Sequence, residues 1–151
     1  MKYYISIGTN LGHRRLNLSR AVAAVERRFG YFEISKVVES EPWGYDSTNL
    51  FLNVAVMFES DEEPLDVLHA LQKIEKEISP EAHRNPDGSY RDRLIDIDIM
   101  AIENVTVDLP ELKVPHPHLF DRPFFINPLK ELLGKEEDYM GEYESSRKSG
   151  R

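Results

Sequence analysis

A two-residue period of side chains predicts β-strands in three segments of the chain, and a further strand is expected between the first helix and the loop near residue 43. The predicted strands cover residues 3–7, 32–40, 50–59 and 94–102. Two other segments repeat their apolar residues every three or four positions, which predicts amphipathic helices. Their apolar faces are formed by Leu18, Ala21, Val22, Val25 and Phe29 in the first helix, and by Val67, Leu71, Ile74 and Ile78 in the second.

The order of these elements is β-α-β-β-α-β, which predicts an α+β fold of the ferredoxin-like kind. In such a fold two helices cover one face of an antiparallel sheet. Residues 103–133 add a short β segment, a loop rich in proline and histidine, and a short helix beginning at Asn127 and Pro128. We therefore expect one domain over residues 1–133 and a polar, flexible tail over residues 134–151.

Composition and charge narrow the class of protein. Among 151 residues, 19 Lys and Arg against 27 Asp and Glu give a formal net charge of −8, which argues against non-specific binding to nucleic acid. The absence of cysteine excludes disulfides, thiolate nucleophiles and cysteine-ligated zinc. The longest apolar runs have five residues, too short to cross a membrane, and the N-terminus has no signal-peptide pattern. We expect a cytoplasmic protein, and a monomer, although the sequence itself does not determine the oligomeric state.

The fourth predicted strand carries the strongest candidate for chemistry. Asp96 and Asp98 project from the same face, about 6.6 Å apart along the strand, and side chains of that reach can converge on a pair of metal ions. All-oxygen ligation favours Mg²⁺ or Mn²⁺. The alternative is a polar strand face that meets water. Met100 and Ile102 continue the same face, however, and aspartate is a poor strand former, so both observations favour a site.

Several cations lie near these carboxylates in the sequence. Arg84, Arg91 and Arg93 belong to the long polar segment 79–93 that leads into the strand, and guanidinium groups bind phosphate through two parallel hydrogen bonds. The alternative is a solvated loop of mixed charge. Loops of this length without regular structure are often functional.

Three further groups of residues are candidates for ligand contacts. Gln72 and Glu75 flank the apolar stripe of the second helix, where they either face a ligand or mark the edge of the buried face. The proline-rich loop carries His116, His118 and Arg122, a set that suits phosphate or, more weakly, a metal. Aromatic residues lie around the amide of Asn53, the only polar side chain between Phe51 and Met57, which suits either a flat heterocycle or core packing. This last group consists of Trp43, Tyr45, Phe51 and Asn53.

Six motifs occur together in an order and spacing that resemble those of the 6-hydroxymethyl-7,8-dihydropterin pyrophosphokinase family. The likeness extends from about residue 3 to residue 133, and it is the combination of motifs that makes it specific. The motifs are IGTNL at 7–11, SEPWG at 40–44, FLN at 51–53, QKIE at 72–75, RLIDIDIM at 93–100 and VPHPHLFDRPF at 114–124.

The resemblance implies a role for each matching residue. Asp96 and Asp98 would hold two Mg²⁺ ions that bridge the phosphates of ATP and the hydroxyl group of the pterin. ATP would be bound by Gln72, Glu75, Arg93, Ile99 through its backbone, His116 and Arg122. The pterin would be bound by Ser40, Trp43, Phe51, Asn53, Tyr90 and Phe124. Arg84 and Arg93 would stabilise the charge that develops as pyrophosphate passes to the pterin and AMP leaves.

This chain departs from the family pattern at several positions. Arg91 and Asp92 stand where relatives commonly have glycine and a small residue or proline, and Tyr90 stands where they often have tryptophan. Trp43 replaces a smaller apolar residue, and Phe51 replaces a tyrosine. Because the segment before Arg93 aligns loosely, the resemblance leaves open whether Arg84 or Arg91 reaches the phosphates.

Two other functions remain open at the level of sequence. A non-catalytic module of the same fold would bind a nucleotide or a metal through the two aspartates, but it would not need the remaining set of residues. A two-metal nuclease would also use Asp96 and Asp98, although the acidic composition fits that function poorly.

Overall fold

The computed structural model describes residues 1–43, 45, 47–79 and 92–134 of the chain. The elements in chain order are β1 (Lys2–Thr9), α1 (Arg14–Phe29), β2 (Phe32–Ile34), β3 (Val38–Ser40), β4 (Phe51–Glu59), α2 (Pro64–Ile78), β5 (Asp96–Ile102), β6 (Val107–Asp108), β7 (Lys113–Val114) and α3 (Pro123–Leu133).

The main sheet is antiparallel and has the strand order β2-β4-β1-β5, with β3 also paired to β4. The short strands β6 and β7 form a separate antiparallel pair. The main sheet contains two β-α-β units, β1-α1-β2 and β4-α2-β5. Strand β4 lies between β1 and β2, and β1 lies between β4 and β5, so that β1 and β4 are side by side at the centre. The α+β class and the element order predicted from the sequence are confirmed.

The predicted strand over residues 32–40 is two strands, β2 and β3. The interruption lies at Ser35, whose backbone N–H donates to the carbonyl of Ala55 at 2.9 Å. The N–H of Ala55 donates in return to Oγ of Ser35, at 2.8 Å, and not to a backbone carbonyl. Because a side chain takes the place of a backbone acceptor, the ladder is broken there, and β3 resumes pairing with Val38 opposite Asn53.

The two faces of the sheet are covered differently. Helices α1 and α2 pack on one face, where Ile5, Val56, Ile97 and other apolar side chains form the larger core. The opposite face is covered by α3, whose Phe125, Leu129 and Leu133 pack on residues such as Tyr4, Met57 and Met100. The sequence predicted two helices on one face, but it did not predict that a third helix would bury part of the other.

Helix α3 begins at Pro123, four residues before the predicted start at Asn127. The fixed φ of proline suits the first helical position, and the N–H groups of Phe125 and Ile126 donate to the carbonyl of Arg122. Pro128 therefore lies inside the helix. Within the part of the chain that the structure describes, no helix is long and apolar enough to cross a membrane.

Candidate active site

The candidate site occupies the part of the second sheet face that α3 leaves open. Residues Tyr4, Met57 and Met100 of this face lie under the helix, while positions nearer to the other end of the same strands line a cavity. These positions are Ser6, Gly8, Asn53, Asp96 and Asp98. The cavity has a volume of about 490 Å³, including the open space at its mouth.

The register of the sheet sets the order of these side chains. Gly8 of β1 pairs with Asn53 on one side and with Asp96 on the other, and Ser6 pairs with Asp98. A Cβ atom at Gly8 would lie 3.0 Å from Oδ1 of Asn53 and 3.4 Å from Phe51. Glycine at this position therefore leaves the floor of the cavity open between the amide of Asn53 and the carboxylate of Asp96.

Asp96 and Asp98 lie on the same face of β5, as the alternation predicted. Asp96 forms an ion pair with Arg93, and their side chains are 24% and 13% exposed respectively. Burial raises the pKa of Asp98, and the neighbouring Asp96 raises it further, while Arg122 and Arg93 act in the opposite direction. The strand thus holds two carboxyl groups that a positive charge would stabilise in their ionised form.

Glu75 reaches the same region from α2. It is buried, and its carboxylate accepts a hydrogen bond from the backbone N–H of Ile97 at 2.7 Å, at the edge of the sheet. Burial raises the pKa of Glu75, and the charges of Asp96 and Asp98 add to the effect. The carboxyl groups of Glu75, Asp96 and Asp98 therefore lie close together near β5, and nearby positive charge stabilises the ionised form of each.

Arg93 is fixed by hydrogen bonds of its backbone as well as by the ion pair of its side chain with Asp96. Its N–H donates to Oδ1 of Asn10 at 2.7 Å, and its carbonyl accepts from the N–H of Asn10 at 3.1 Å. Asn10 follows β1 and is 2% exposed. This pairing fixes the point at which the chain enters β5, and with it the base of the Arg93 side chain.

Arg122 lies just before α3, and its guanidinium group lies over aromatic rings. Its Cζ atom is 4.2 Å from the ring centroid of Trp43 and 4.9 Å from that of Phe125. Such stacking holds the group flat and places it beside the carboxylates of the cavity floor. The same Trp43 ring contacts the imidazole of His118, with 4.6 Å between centroids.

The partly buried imidazole of His116 favours its neutral form. Burial lowers its pKa to about 4, and the charge of Arg122 contributes to the shift. Nδ1 of the ring accepts a hydrogen bond from the N–H of His118 at 3.0 Å, so in the neutral ring the hydrogen is on Nε2. The N–H of His116 donates to the carbonyl of Met100, which ties this loop to β5.

The cavity has two chemically different halves. One half presents aromatic rings and the Asn53 amide, and the other presents two arginines opposite two carboxylates. Residues of the first half are Trp43, Tyr45, Phe51, Asn53, Phe124 and Phe125, and those of the second are Arg93, Asp96, Asp98 and Arg122. A ligand with a flat ring at one end and an anionic group at the other would match both halves.

Most of the site residues predicted from the sequence lie in or beside this cavity. Ser40 lies behind Asn53 and accepts a hydrogen bond from its Nδ2 at 2.7 Å. Gln72 is exposed on α2, and the side chain of Ile99 is buried in the core of the opposite face. Arg84, Tyr90 and Arg91, and the tail from residue 135, lie outside the described residues, so these assignments stay predictions.

Sequence reasoning did not single out Ser6, Gly8 or Phe125 as residues of the site. The first two carried a signal, because small or polar residues at positions 6 and 8 alternate with the apolar residues of β1. Phe125 carried none, since its place over the cavity depends on where α3 crosses the sheet.

An α+β fold that joins paired carboxylates, fixed cations and an aromatic pocket is typical of enzymes that transfer phosphate groups. Comparison with known proteins identifies the family. Residues 4–134 match the model of the 7,8-dihydro-6-hydroxymethylpterin-pyrophosphokinase family, and the chain belongs to this family. The protein is therefore a pyrophosphokinase, a transferase, and the family resemblance seen in the sequence is confirmed.

Curated relatives support this assignment. A protein of Porphyromonas gingivalis named 2-amino-4-hydroxy-6-hydroxymethyldihydropteridine pyrophosphokinase is 40% identical over 132 residues, covering 85% of this chain and 88% of its own. A protein of the same name from Bacillus subtilis is 31% identical over 136 residues, covering 89% and 79%. Among solved structures, the hypothetical protein ORF119 of Sulfolobus islandicus rod-shaped virus 1 has a TM-score of 0.33 at 12% identity, covering 91% of this chain and 84% of its own.

The raised pKa values predict how stability depends on pH. The carboxyl groups of Asp98 and Glu75 bind protons more tightly in the folded chain than in the unfolded chain, because their pKa values rise from 3.8 and 4.5 towards about 8. The free energy of unfolding should therefore fall as pH rises through this window. Asp98→Asn should flatten this slope and be more stable than the wild type above pH 7, as measured by urea unfolding between pH 5 and 9.

The matched control for this experiment is Asp108→Asn. Asp108 is fully exposed, and the hydrogen bond from Lys113 lowers the pKa of its carboxyl, so its removal should not flatten the slope above pH 5. Parallel stability curves for the wild type and Asp98→Asn would show that Asp98 carries no such shift.

The stacking of Arg122 on Trp43 predicts a fluorescence change. Trp43 is the only tryptophan of the chain and is 37% exposed, so the tryptophan emission reports on the surroundings of this one ring. Arg122→Met should shift the emission maximum to longer wavelength, because the ring loses its planar cover and meets more water. The exposed Arg20 of α1 offers the control Arg20→Met, which should leave the spectrum unchanged. Identical spectra for Arg122→Met and the wild type would contradict the stacking.

Proposed function

We propose that this pyrophosphokinase transfers the pyrophosphoryl group of ATP to the hydroxymethyl group of 6-hydroxymethyl-7,8-dihydropterin and releases AMP, as a step of folate biosynthesis. The observation that carries the proposal is the two-part cavity, in which an aromatic and amide half adjoins a half with paired charges. The family match and the names of the relatives support the choice of pterin as acceptor.

The aromatic half suits a pterin ring. Asn53 is 2% exposed, and its Nδ2 is engaged by Ser40, so that its Oδ1 remains on the side of Gly8 and can accept from N–H groups of a ring. Phe51 and Phe124 offer faces for stacking against a flat heterocycle. Glycine at position 8 keeps Oδ1 of Asn53 accessible, because a Cβ atom there would lie only 3.0 Å from this oxygen.

The charged half suits divalent cations together with phosphates. Asp96 and Asp98 offer oxygen ligands only, and the described part of the chain holds no cluster of three or more His, Asp or Glu side chains arranged for a metal. Mg²⁺ is usually bound by one or two carboxylates and completed by phosphate oxygens and water, which fits this pair. When bound, Mg²⁺ ions would neutralise phosphate charge and favour ionisation of the attacking hydroxyl group.

The protein's own residues would act mainly by positioning and by charge. The hydroxymethyl oxygen forms a bond to the β-phosphorus of ATP, the bond from that phosphorus to the oxygen of the α-phosphate breaks, and AMP leaves. The hydroxyl proton passes to solvent, since no described side chain is placed as a general base. Arg93 and Arg122 would stabilise the charge that shifts during transfer, and the Nε2–H of His116 would donate to a phosphate oxygen.

Placement of the reacting groups follows from the fixed parts of the site. The pocket around Asn53 holds the acceptor on β4, and β5 holds the carboxylates two strands away, across Gly8 of β1. The aromatic walls limit the access of water to the transferred group. Arg84 and Tyr90 keep the roles that the family resemblance implies, as predictions for the segment before Arg93.

The proposed reaction is tested by incubating the protein with ATP, Mg²⁺ and 6-hydroxymethyl-7,8-dihydropterin and measuring AMP. AMP should form only when the pterin is present, in equal amount to the pyrophosphorylated pterin. Omission of the pterin, or its replacement by a pterin without the hydroxyl group, provides the control. Pterin-independent ATP hydrolysis, or no AMP with Mg²⁺ or Mn²⁺, would contradict the proposal, and binding of ATP without turnover would point to a non-catalytic module.

The carboxylate pair is tested by substitution. Asp96→Ala and Asp98→Ala should each lower turnover by about 10³-fold, which corresponds to a loss of about 4 kcal/mol of transition-state stabilisation. Both variants should keep the circular dichroism spectrum of the wild type, and Asp108→Ala, at an exposed position of β6, should keep its activity. Near-normal turnover in either active-site variant would refute the assignment of these residues to the metal ions.

A further inference from the structure

Asp92 collects four hydrogen bonds at the edge of the cavity. Its Oδ1 accepts from Nδ2 of Asn10 at 2.8 Å and from the hydroxyl of Tyr45 at 3.0 Å. Its Oδ2 accepts from Oγ of Ser47 at 3.1 Å and from Nδ2 of Asn49 at 2.6 Å. The donors come from two different connections, the turn after β1 and the loop between β3 and β4.

Both connections contribute to the candidate active site. Tyr45 of the second connection lines the cavity, and Nδ2 of Asn10 also donates to the Tyr45 hydroxyl, at 2.9 Å. Asn10 in turn pairs with the backbone of Arg93, the residue next to Asp92, and Arg93 pairs with Asp96. The carboxylate of Asp92 thus links Tyr45, in the aromatic half of the cavity, to Arg93, in the charged half.

The bonding pattern requires a carboxylate. Burial alone would raise the pKa of Asp92, but the hydrogen bonds from Ser47, Asn49, Tyr45 and Asn10 lower it below its ordinary value. An ionised carboxylate accepts at both oxygens, which matches two donors on each. Asparagine has nearly the same shape but presents an NH₂ group in place of one oxygen, so it would oppose two of these donors.

We propose that Asp92 is a positioning residue, which holds the loop between β3 and β4 against the start of β5 and so keeps the aromatic half and Arg93 in one fixed arrangement. The expected effect on catalysis rests on the proposed function, whereas the hydrogen bonds of Asp92 do not depend on any substrate. Asp92 contacts neither reacting group, and its effect on the reaction passes through Tyr45 and Arg93.

The first test compares Asp92→Asn with the wild type. We expect the KM for the pterin to rise about 10-fold and kcat to fall about 10-fold, because small displacements of positioned groups are costly in rate. A purely structural role would lower the thermal midpoint and leave both constants unchanged. Asp108→Asn makes the same chemical change at an exposed position of β6 and should leave kcat and KM at wild-type values.

The second test measures the solvent exposure of Trp43, in the loop between β3 and β4, without any substrate. Trp43 belongs to the same connection, two residues before Tyr45, and is the only tryptophan. Asp92→Asn should increase the quenching of its emission by acrylamide, whereas Asp108→Asn should not. If Asp92→Asn leaves both the quenching and the kinetic constants unchanged, the proposal is wrong.

A double-mutant cycle tests whether Asp92 and Tyr45 act through one hydrogen-bond network. Tyr45→Phe removes one donor and keeps the ring, so we expect a smaller increase in quenching and in KM than with Asp92→Asn. The double variant should be no worse than Asp92→Asn alone if both act through one hydrogen-bond network. If Asp92→Asn does not fold, Tyr45→Phe and Asn49→Ala are measured instead, and effects that simply multiply would overturn the proposal.

The outcomes separate this inference from the proposed function. A wild-type protein that forms no AMP refutes the reaction, while the quenching experiment still decides whether Asp92 holds the loop. Normal AMP formation with wild-type quenching and kinetics in Asp92→Asn refutes the positioning role and leaves the reaction intact.

Discussion

The structure around the cavity depends on the placement of two carboxyl groups on one face of a largely buried strand. Asp96 and Asp98 repel one another, and burial adds to the cost of ionising Asp98. Arg93 forms an ion pair with Asp96, and the charge of Arg122 opposes the rise in the pKa of Asp98. The two arginines thus offset only part of the cost of ionising this pair, which is a property expected of a functional site and not of residues selected for stability.

Access to these carboxylates follows from incomplete cover of the sheet. Helix α3 buries one end of the second face, and the strand positions beyond it keep their side chains open to a cavity. Because Gly8 has no side chain, the floor of that cavity stays open between Asn53 and Asp96. Arg122 lies just before the first residue of the same helix. Helix α3 therefore covers one end of this sheet face and also positions a cation at the open end. The net charge of −8 is thus compatible with binding a polyphosphate, because the relevant charges are arranged locally.

Periodicity predicted the strands and helices well wherever apolar residues alone decide the structure, as in α1, α2 and β4. It failed where a single polar contact decides it: the hydrogen bond to Oγ of Ser35 divides the second strand, and Pro123 starts α3 earlier than the Asn-Pro signal suggested. The carboxylate pair was predictable because alternation on a strand fixes the face of each side chain. Gln72 is exposed on α2 and does not line this cavity, so its role stays a prediction.

The sequence by itself determined the family, the order of the elements and the pairing of Asp96 with Asp98, because motif spacing and two-residue periodicity are properties of the chain alone. Only the tertiary structure decided which residues meet across the sheet. The row from Asn53 through Gly8 to Asp96 depends on strand register, and the stacking of Arg122 on Trp43 depends on where α3 crosses the sheet. The four hydrogen bonds to Asp92 join residues that are 43 to 82 positions apart, and no local pattern encodes contacts at such distances.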